Sequence, residues 1–211
     1  MSLRPMVGVF GGTFDPIHYG HLRTVRETAV ALALERVIIV PCGMPYHRLN
    51  ALASATERLD MTRLAVAHDP LFIVDDREIA SSDPCYSVCT LAALRREQPG
   101  RTFCLIIGQD SFLSMTRWYQ WPRLFELGHV VVMSRPGVDG APDPELWRHA
   151  RRHSSPETLL MQRSGILFEQ RVHPQPMSAS EVRQAVSEGR SIAHLVPPEV
   201  ESYIHEHQLY V

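Results

Sequence analysis

Three observations predict a doubly wound α/β fold with a mostly parallel sheet and a small C-terminal helical part. Short apolar, β-branched runs alternate along the chain with segments whose apolar residues recur every three or four positions, the pattern of buried strands joined by covering helices. The first of these runs passes directly into a glycine turn and a helix start. The length of 211 residues is ample for one core and requires no second domain, so residues 1–211 are read as a single domain.

Each element follows from its own residues. Strands are expected at 6–10 (Val7, Val9, Phe10), 36–41 (Val37 to Val40), 71–74 (Phe72, Ile73, Val74), 102–108 (Phe103 to Ile107), 129–134 (Val130 to Val132) and 165–170 (Ile166, Leu167, Phe168). Helices are expected at 18–34, 56–68, 86–97, 121–127, 145–153, 178–187 and 198–207. In 86–97, Val88, Leu91 and Leu94 share one face; in 198–207, Val200, Tyr203 and Ile204 do. Residues 135–144, with Pro136, Gly137, Gly140 and Pro142, read as a surface connection. Ser178 with Glu181 makes a capping box at the penultimate helix.

The junction after the first strand carries the chemistry. It reads Gly11, Gly12, Thr13, Phe14, Asp15, Pro16, Ile17, His18, Tyr19, Gly20, His21. Glycines let backbone N–H groups approach an anion, and a helix N-terminus favours negative charge. His18 and His21 stand three apart, so on a helix both rings leave one face beside that anion. Such a pair suits a pentavalent phosphate better than a metal. Glycine in a turn, or proline at a helix start, is ordinary taken singly; the conjunction marks a site.

Composition limits the rest. Apolar content of 45%, charged content of 21% and a formal charge of −2 describe a globular protein and argue against nucleic-acid or membrane partners. The sequence contains no lysine, so phosphate binding falls to arginine and histidine. No signal-like start or spanning apolar stretch is evident, which leads us to expect a cytoplasmic protein. Cys42, Cys85, Cys89 and Cys104 are expected to be reduced packing thiols. Cys85 and Cys89 make a weak zinc pattern, because neither Cys42 nor Cys104 has a near partner in the sequence, and no protein metal site is expected.

Ligands of open parallel sheets bind at the carboxyl ends of strands. Three further loops fall there. One holds His47 and Arg48; another holds Gly108 and Asp110, followed by Trp118 and Tyr119; the last holds Arg135. His47 with Arg48 could grip a second phosphate or form a plain polar loop. An acid at a strand end commonly accepts ribose hydroxyls. Trp118 and Tyr119 suit either a flat ring or simple packing. Ser180 and Arg183, on the first turn after the Ser178 cap, could address a triphosphate.

These motifs resemble the nucleotidyltransferases with a His-x-Gly-His signature and, within them, the bacterial nicotinate-mononucleotide adenylyltransferases. The resemblance rests on residues 11–22, Pro45 to Arg48, Tyr86-Ser87 with Thr90-Leu91, 107–111, Trp118-Tyr119, 135–137 and 178–183, and runs from residue 8 to Tyr210. It implies a Rossmann-like nucleotidyltransferase fold and transfer of the adenylyl group of ATP to nicotinate mononucleotide, giving nicotinate adenine dinucleotide and pyrophosphate in NAD biosynthesis. It implies that Gly11, Gly12, Thr13, Phe14, His18 and His21 surround ATP, with Gly108 and Asp110 on its ribose side. Ser180 and Arg183 would hold the β- and γ-phosphates, and His18, His21 and Arg183 would act in catalysis. The nicotinate nucleotide would meet Tyr86, Ser87, Trp118 and Tyr119 through its ring, and His47, Arg48 or Arg135 through its phosphate. Mg²⁺ would enter on the ATP phosphates. Tyr46 replaces the family's usual second proline, and Ser87 a frequent threonine. Competing expectations are a phosphopantetheine or flavin adenylyltransferase of the same fold, and a non-catalytic nucleotide sensor. A homo-oligomer is left open.

Overall fold

The computed structural model describes residues 5–43, 51–81, 84–134, 140–153 and 155–211. In chain order the elements begin with β1 (Met6–Gly12), α1 (Tyr19–Ala31), β2 (Arg36–Pro41), α2 (Ala55–Val66), β3 (Phe72–Val74) and α3 (Arg77–Ala80). They continue with α4 (Ser87–Glu97), β4 (Thr102–Gly108), α5 (Gln109–Leu113), α6 (Leu124–Leu127), β5 (His129–Ser134) and β6 (Arg151–His153). The last are α7 (Glu157–Met161), β7 (Ile166–Arg171), α8 (Ala179–Ser187) and α9 (Pro198–Glu206). Seven strands form one sheet in the order β3-β2-β1-β4-β5-β7-β6. The order reverses beside β1, as doubly wound sheets require.

By its internal contacts the chain divides into two compact units. The first comprises Met1–Gly11, Val25–Ile38 and Tyr86–Pro174. Its strands pair in parallel: Val7 opposite Phe103, Leu105 opposite Val130, Val131 opposite Phe168 and Arg152 opposite Leu167. Val7, Phe103, Ile106, Val130, Leu167 and Leu91 are fully buried. Gly8 is small because a Cβ there would lie 2.9 Å from Ile106 and 3.0 Å from Leu34. His129, also fully buried, sits with Nε2 at 3.1 Å from the Leu159 carbonyl and 3.2 Å from that of Gln162, while Nδ1 accepts from the Ile166 N–H. That network assigns the proton to Nε2 and leaves the ring neutral, and burial lowers its pKa.

The second unit comprises Gly12–Thr24, Ile39–Cys85 and Gln175–Val211. Helix α2 opens on a full capping box between Ser54 and Glu57. Tyr203 on α9 donates to Asp60 on α2 at 3.3 Å. Helix α8 is capped by Ser178, whose hydroxyl accepts from the Glu181 N–H; this is the backbone half of the box expected from the sequence.

The six expected strands are all present, three with unchanged bounds. The expected helix at 145–153 is absent. Asp143 caps a 3₁₀ turn at Pro144–Arg148, which buries Leu146, and the chain then enters β6. Three residues with two exposed arginines carry no strand pattern, and an edge strand is commonly short and charged. No helix among the described residues is long and apolar enough to cross a membrane.

Phe103→Ala is expected to lower unfolding stability by about 3–5 kcal/mol in urea titrations. Val30→Ala, at a position 73% exposed, should stay within about 0.5 kcal/mol of wild type.

Candidate nucleotide site

The turn after β1 is built by side chains that fill the space its glycines leave. Phe14 has φ of 50°, a left-handed conformation rare for an aromatic residue, and its ring folds back over Gly12. A Cβ on Gly12 would lie 2.7 Å from that ring. Gly12 therefore serves this packing, rather than only the anion approach inferred from the sequence. The Phe14 ring also meets His21 edge-on, with centroids 5.2 Å apart.

His18 precedes the first turn of α1 rather than lying on it. Its ring nevertheless stacks on His21, with centroids 3.7 Å apart and planes 26° from parallel. Gly20 makes this possible, since a Cβ there would stand 2.8 Å from the His18 ring. The glycine of the signature thus clears the place where the imidazole lies. His18 is 5% exposed, and its Nδ1 has no hydrogen-bond partner among the described residues. Burial lowers its pKa from 6.5 to about 4, so the free protein holds a neutral imidazole at pH 7.

Asp15 ties the turn to three other segments of the same unit. Its carboxylate accepts from the N–H groups of Leu52 (2.9 Å) and Ala53 (3.2 Å), and from the Tyr210 hydroxyl (2.7 Å). Burial and that bond push the Tyr210 phenol upward, keeping it a donor. The Asp15 carbonyl accepts from Arg183 at 2.6 Å, and Arg183 also donates to the Ser180 hydroxyl at 3.2 Å. The sequence-derived His18, His21, Ser180 and Arg183 therefore share this unit with the glycine turn.

Arg58 is the member that sequence reading missed. It is 1% exposed and donates to the Thr13 carbonyl at 2.5 Å and the Gly43 carbonyl at 3.0 Å. Burial lowers its pKa, yet guanidinium remains charged at any ordinary pH. Its signal was the helical face it shares with Met61 and Thr62, both buried, on which a cation must have a structural partner.

The first unit holds another part of the expected set. Gly108 ends β4 with nothing within 4 Å of where a side chain would begin, and exposed Asp110 lies on α5, which follows at once. Tyr86 and Tyr119 bring their rings to 4.6 Å, 33° from parallel, Ser87 opens α4, and half-buried Trp118 closes a 3₁₀ turn at Met115–Arg117. Gly11 lies near the end of β1. His47, Arg48 and Arg135, and Tyr46 with them, lie outside the described residues.

Residues 9–185 match the family described as cytidylyltransferase-like. A protein of Sodalis glossinidius named "Probable nicotinate-nucleotide adenylyltransferase" is 43% identical, over 100% of this chain and 99% of its own. A relative of the same name from Acidithiobacillus ferrooxidans is 41% identical, over 96% and 94%. The chain belongs to the nicotinate-nucleotide adenylyltransferases, within the cytidylyltransferase-like family. The nicotinic acid mononucleotide adenylyltransferase of Plasmodium falciparum, in its complex with NaAD, shares the fold at a TM-score of 0.72 and 17% identity, over 98% of this chain and 97% of that one.

Nicotinate-nucleotide adenylyltransferases are nucleotidyltransferases, and that membership implies a divalent metal. Around the glycine turn of this adenylyltransferase, the one carboxylate described above, that of Asp15, already accepts three hydrogen bonds. The other groups there are histidines, arginine and serine, which suit an anion.

A histidine NMR titration should show the His18 ring with a midpoint at about 4. Because the unfolded chain binds this proton near 6.5 and the folded chain only near 4, the His18 contribution to stability is constant above pH 6.5. It is lost progressively as the pH falls to about 4. A His18 midpoint near 6.5 would contradict the burial argument.

Proposed function

We infer that the chain transfers the adenylyl group of ATP to nicotinate mononucleotide, releasing pyrophosphate and nicotinate adenine dinucleotide, a step of NAD biosynthesis. The observation that carries this reading is the stacked His18–His21 pair over Gly20, in a chain 43% identical end to end to a relative of that name.

A 5′-phosphate oxygen of nicotinate mononucleotide attacks the α-phosphorus of ATP. The new P–O bond forms as the bond to the β-phosphate bridging oxygen breaks, and pyrophosphate leaves with the electron pair. The attacking phosphate is anionic near pH 7, so no strong base is needed, and catalysis reduces to alignment and neutralisation of charge. His18 and His21 act at the transferring phosphate. His18, neutral in the free protein, donates through one ring N–H, and an anion drawn beside it raises its pKa. Arg183, held by the Asp15 carbonyl, acts with Ser180 on the β- and γ-phosphates. Gly11, Gly12, Thr13 and Phe14 complete the ATP side, and Gly108 and Asp110 take the ribose.

Tyr86, Ser87, Trp118 and Tyr119 take the pyridine ring, a reading supported by the Tyr86–Tyr119 ring pair. His47, Arg48 and Arg135 take the phosphate of the nicotinate nucleotide. The divalent metal is Mg²⁺, carried on the ATP phosphates. The four free thiols fit a reducing compartment, and we place the protein in the cytoplasm.

Pyrophosphate release with ATP and Mg²⁺ should strongly favour nicotinate mononucleotide over 4′-phosphopantetheine or flavin mononucleotide. Binding of ATP without release on any acceptor would instead indicate a nucleotide sensor. His18→Ala should lower turnover by about 10²–10³, and turnover within a few-fold of wild type would remove His18 from the reaction. Trp118→Ala should raise KM for the nicotinate nucleotide by roughly tenfold while leaving KM for ATP little changed.

A further inference from the structure

Cys42 has no near cysteine in the sequence but does have one in space. Its thiol sulfur, the Cys85 sulfur and a Glu78 carboxylate oxygen all lie within 4.8 Å of one another. The Cys85 Sγ–H donates to the Glu78 carbonyl at 3.7 Å. All three residues are half-buried. The backbone around them is close-fitting. The Cys42 N–H donates to the Gly12 carbonyl at 2.9 Å, and a Cβ on Gly43 would fall 2.0 Å from the Glu78 carbonyl oxygen. Cys42 is thus fixed at the end of β2 against α3, with Cys85 facing it.

We propose that Cys42, Glu78 and Cys85 form a binding site for one soft divalent cation of the Zn²⁺ class, with a fourth coordination position left to water. Two sulfurs and one carboxylate oxygen match the donor types such an ion takes, at about 2.3 Å for sulfur and 2.0–2.2 Å for oxygen. Binding displaces one proton from each thiol to the solvent and forms two S–Zn bonds and one O–Zn bond. Two thiolates and a carboxylate then exceed the cation's charge by one unit, and the neighbouring Arg58 guanidinium offsets that excess. Without a cation the same crowding opposes ionisation: burial, Cys85 and Glu78 push the Cys42 thiol upward, and Arg58 alone pulls it down. The sequence-based zinc pattern of Cys85 with Cys89 is thereby revised. Cys89 is exposed and is not part of the cluster.

This site does not depend on the adenylyl-transfer reading, and its test does not measure activity. Reduced, metal-free protein is titrated with Co²⁺, whose thiolate-to-metal charge-transfer absorption reports sulfur ligation, and then with Zn²⁺ as competitor. One equivalent of Co²⁺ should generate the band, Zn²⁺ should abolish it, and excess Mg²⁺ should leave it unchanged. Because two protons leave, affinity should rise about 100-fold per pH unit while both thiols remain protonated. Cys42→Ser and Cys85→Ser should each weaken Co²⁺ binding by roughly 100-fold or more, Glu78→Gln should weaken it to a lesser degree, and Cys89→Ser should have no effect. Absence of the band in the wild-type protein would overturn the proposal without reference to any variant's folding. So would its persistence in Cys85→Ser, or its loss in Cys89→Ser. A Cys42–Cys85 disulfide that forms in air and is accompanied by no metal uptake after reduction would likewise replace the proposed site with a redox pair.

Discussion

A guanidinium that is 1% exposed is costly unless its hydrogen bonds are made, and Arg58 makes its two through the backbone carbonyls of Thr13 and Gly43. Those carbonyls belong to segments thirty residues apart in the chain, and neither pairs there within a regular element. The charge therefore acts as a clamp on loop backbone. With Thr13 fixed, Phe14 holds its left-handed conformation and covers Gly12; with Phe14 in place, His21 has an edge to pack against. Asp15 continues the same logic with its carboxylate and carbonyl shared among Leu52, Ala53, Tyr210 and Arg183. The glycine turn is held in place by the hydrogen bonds that Arg58 and Asp15 make around it, not by its glycines.

The His18–His21 pair shows why such rigidity matters. Two imidazoles stacked at 3.7 Å would repel if both were protonated, and burial resolves the conflict by keeping His18 neutral. His18 therefore waits without a positive charge of its own in the free protein. On the proposed reading, nucleotide binding brings the negative charge that makes protonation favourable, so the imidazole's electrostatic contribution is largest when phosphate is present. A permanently charged side chain at the same buried position would carry its desolvation cost in the free protein as well.

The sheet was legible in the sequence because its strands are buried on both faces and read as continuous runs, as at Val37 to Val40 and Phe103 to Ile107. The 3₁₀ turn and β6 were not, since Leu146 and Ala150 at helical spacing mimic a helix and Arg151 to His153 offer no alternation. Within the candidate site, His18, His21, Ser180 and Arg183 stood out through local spacing. Arg58, Asp15's partners and the Cys42–Cys85 approach did not, because each joins segments far apart in the chain. Spacing predicts which side chains share a helix face; it carries no information on which distant carbonyl or thiol the fold will bring to meet them. Gly20 lies between these cases: visible as a motif residue, but with its purpose apparent only once the His18 ring is seen to occupy its place.

The absence of lysine from the whole sequence sharpens the difference between Arg58 and Arg183, two arginines of this unit that bond to the glycine-turn backbone. A guanidinium has five N–H donors in a fixed plane. Arg58 is enclosed, its Nε without a partner among the described residues, so any capacity beyond its two carbonyl bonds is closed off from ligands. Arg183 is half-buried, at the exposed first turn of α8, and uses one donor on the Asp15 carbonyl and one on the Ser180 hydroxyl. Among the described residues the Arg183 guanidinium makes no other hydrogen bond, and the anchor to Asp15 sets the plane in which its remaining donors point. A lysine ammonium, free to rotate about a flexible stem, could neutralise phosphate but could not be aimed by a single backbone bond in this way. The division between an enclosed arginine that organises the loops and a half-buried one with donors to spare accounts for the use of the same side chain in two opposite environments of one unit.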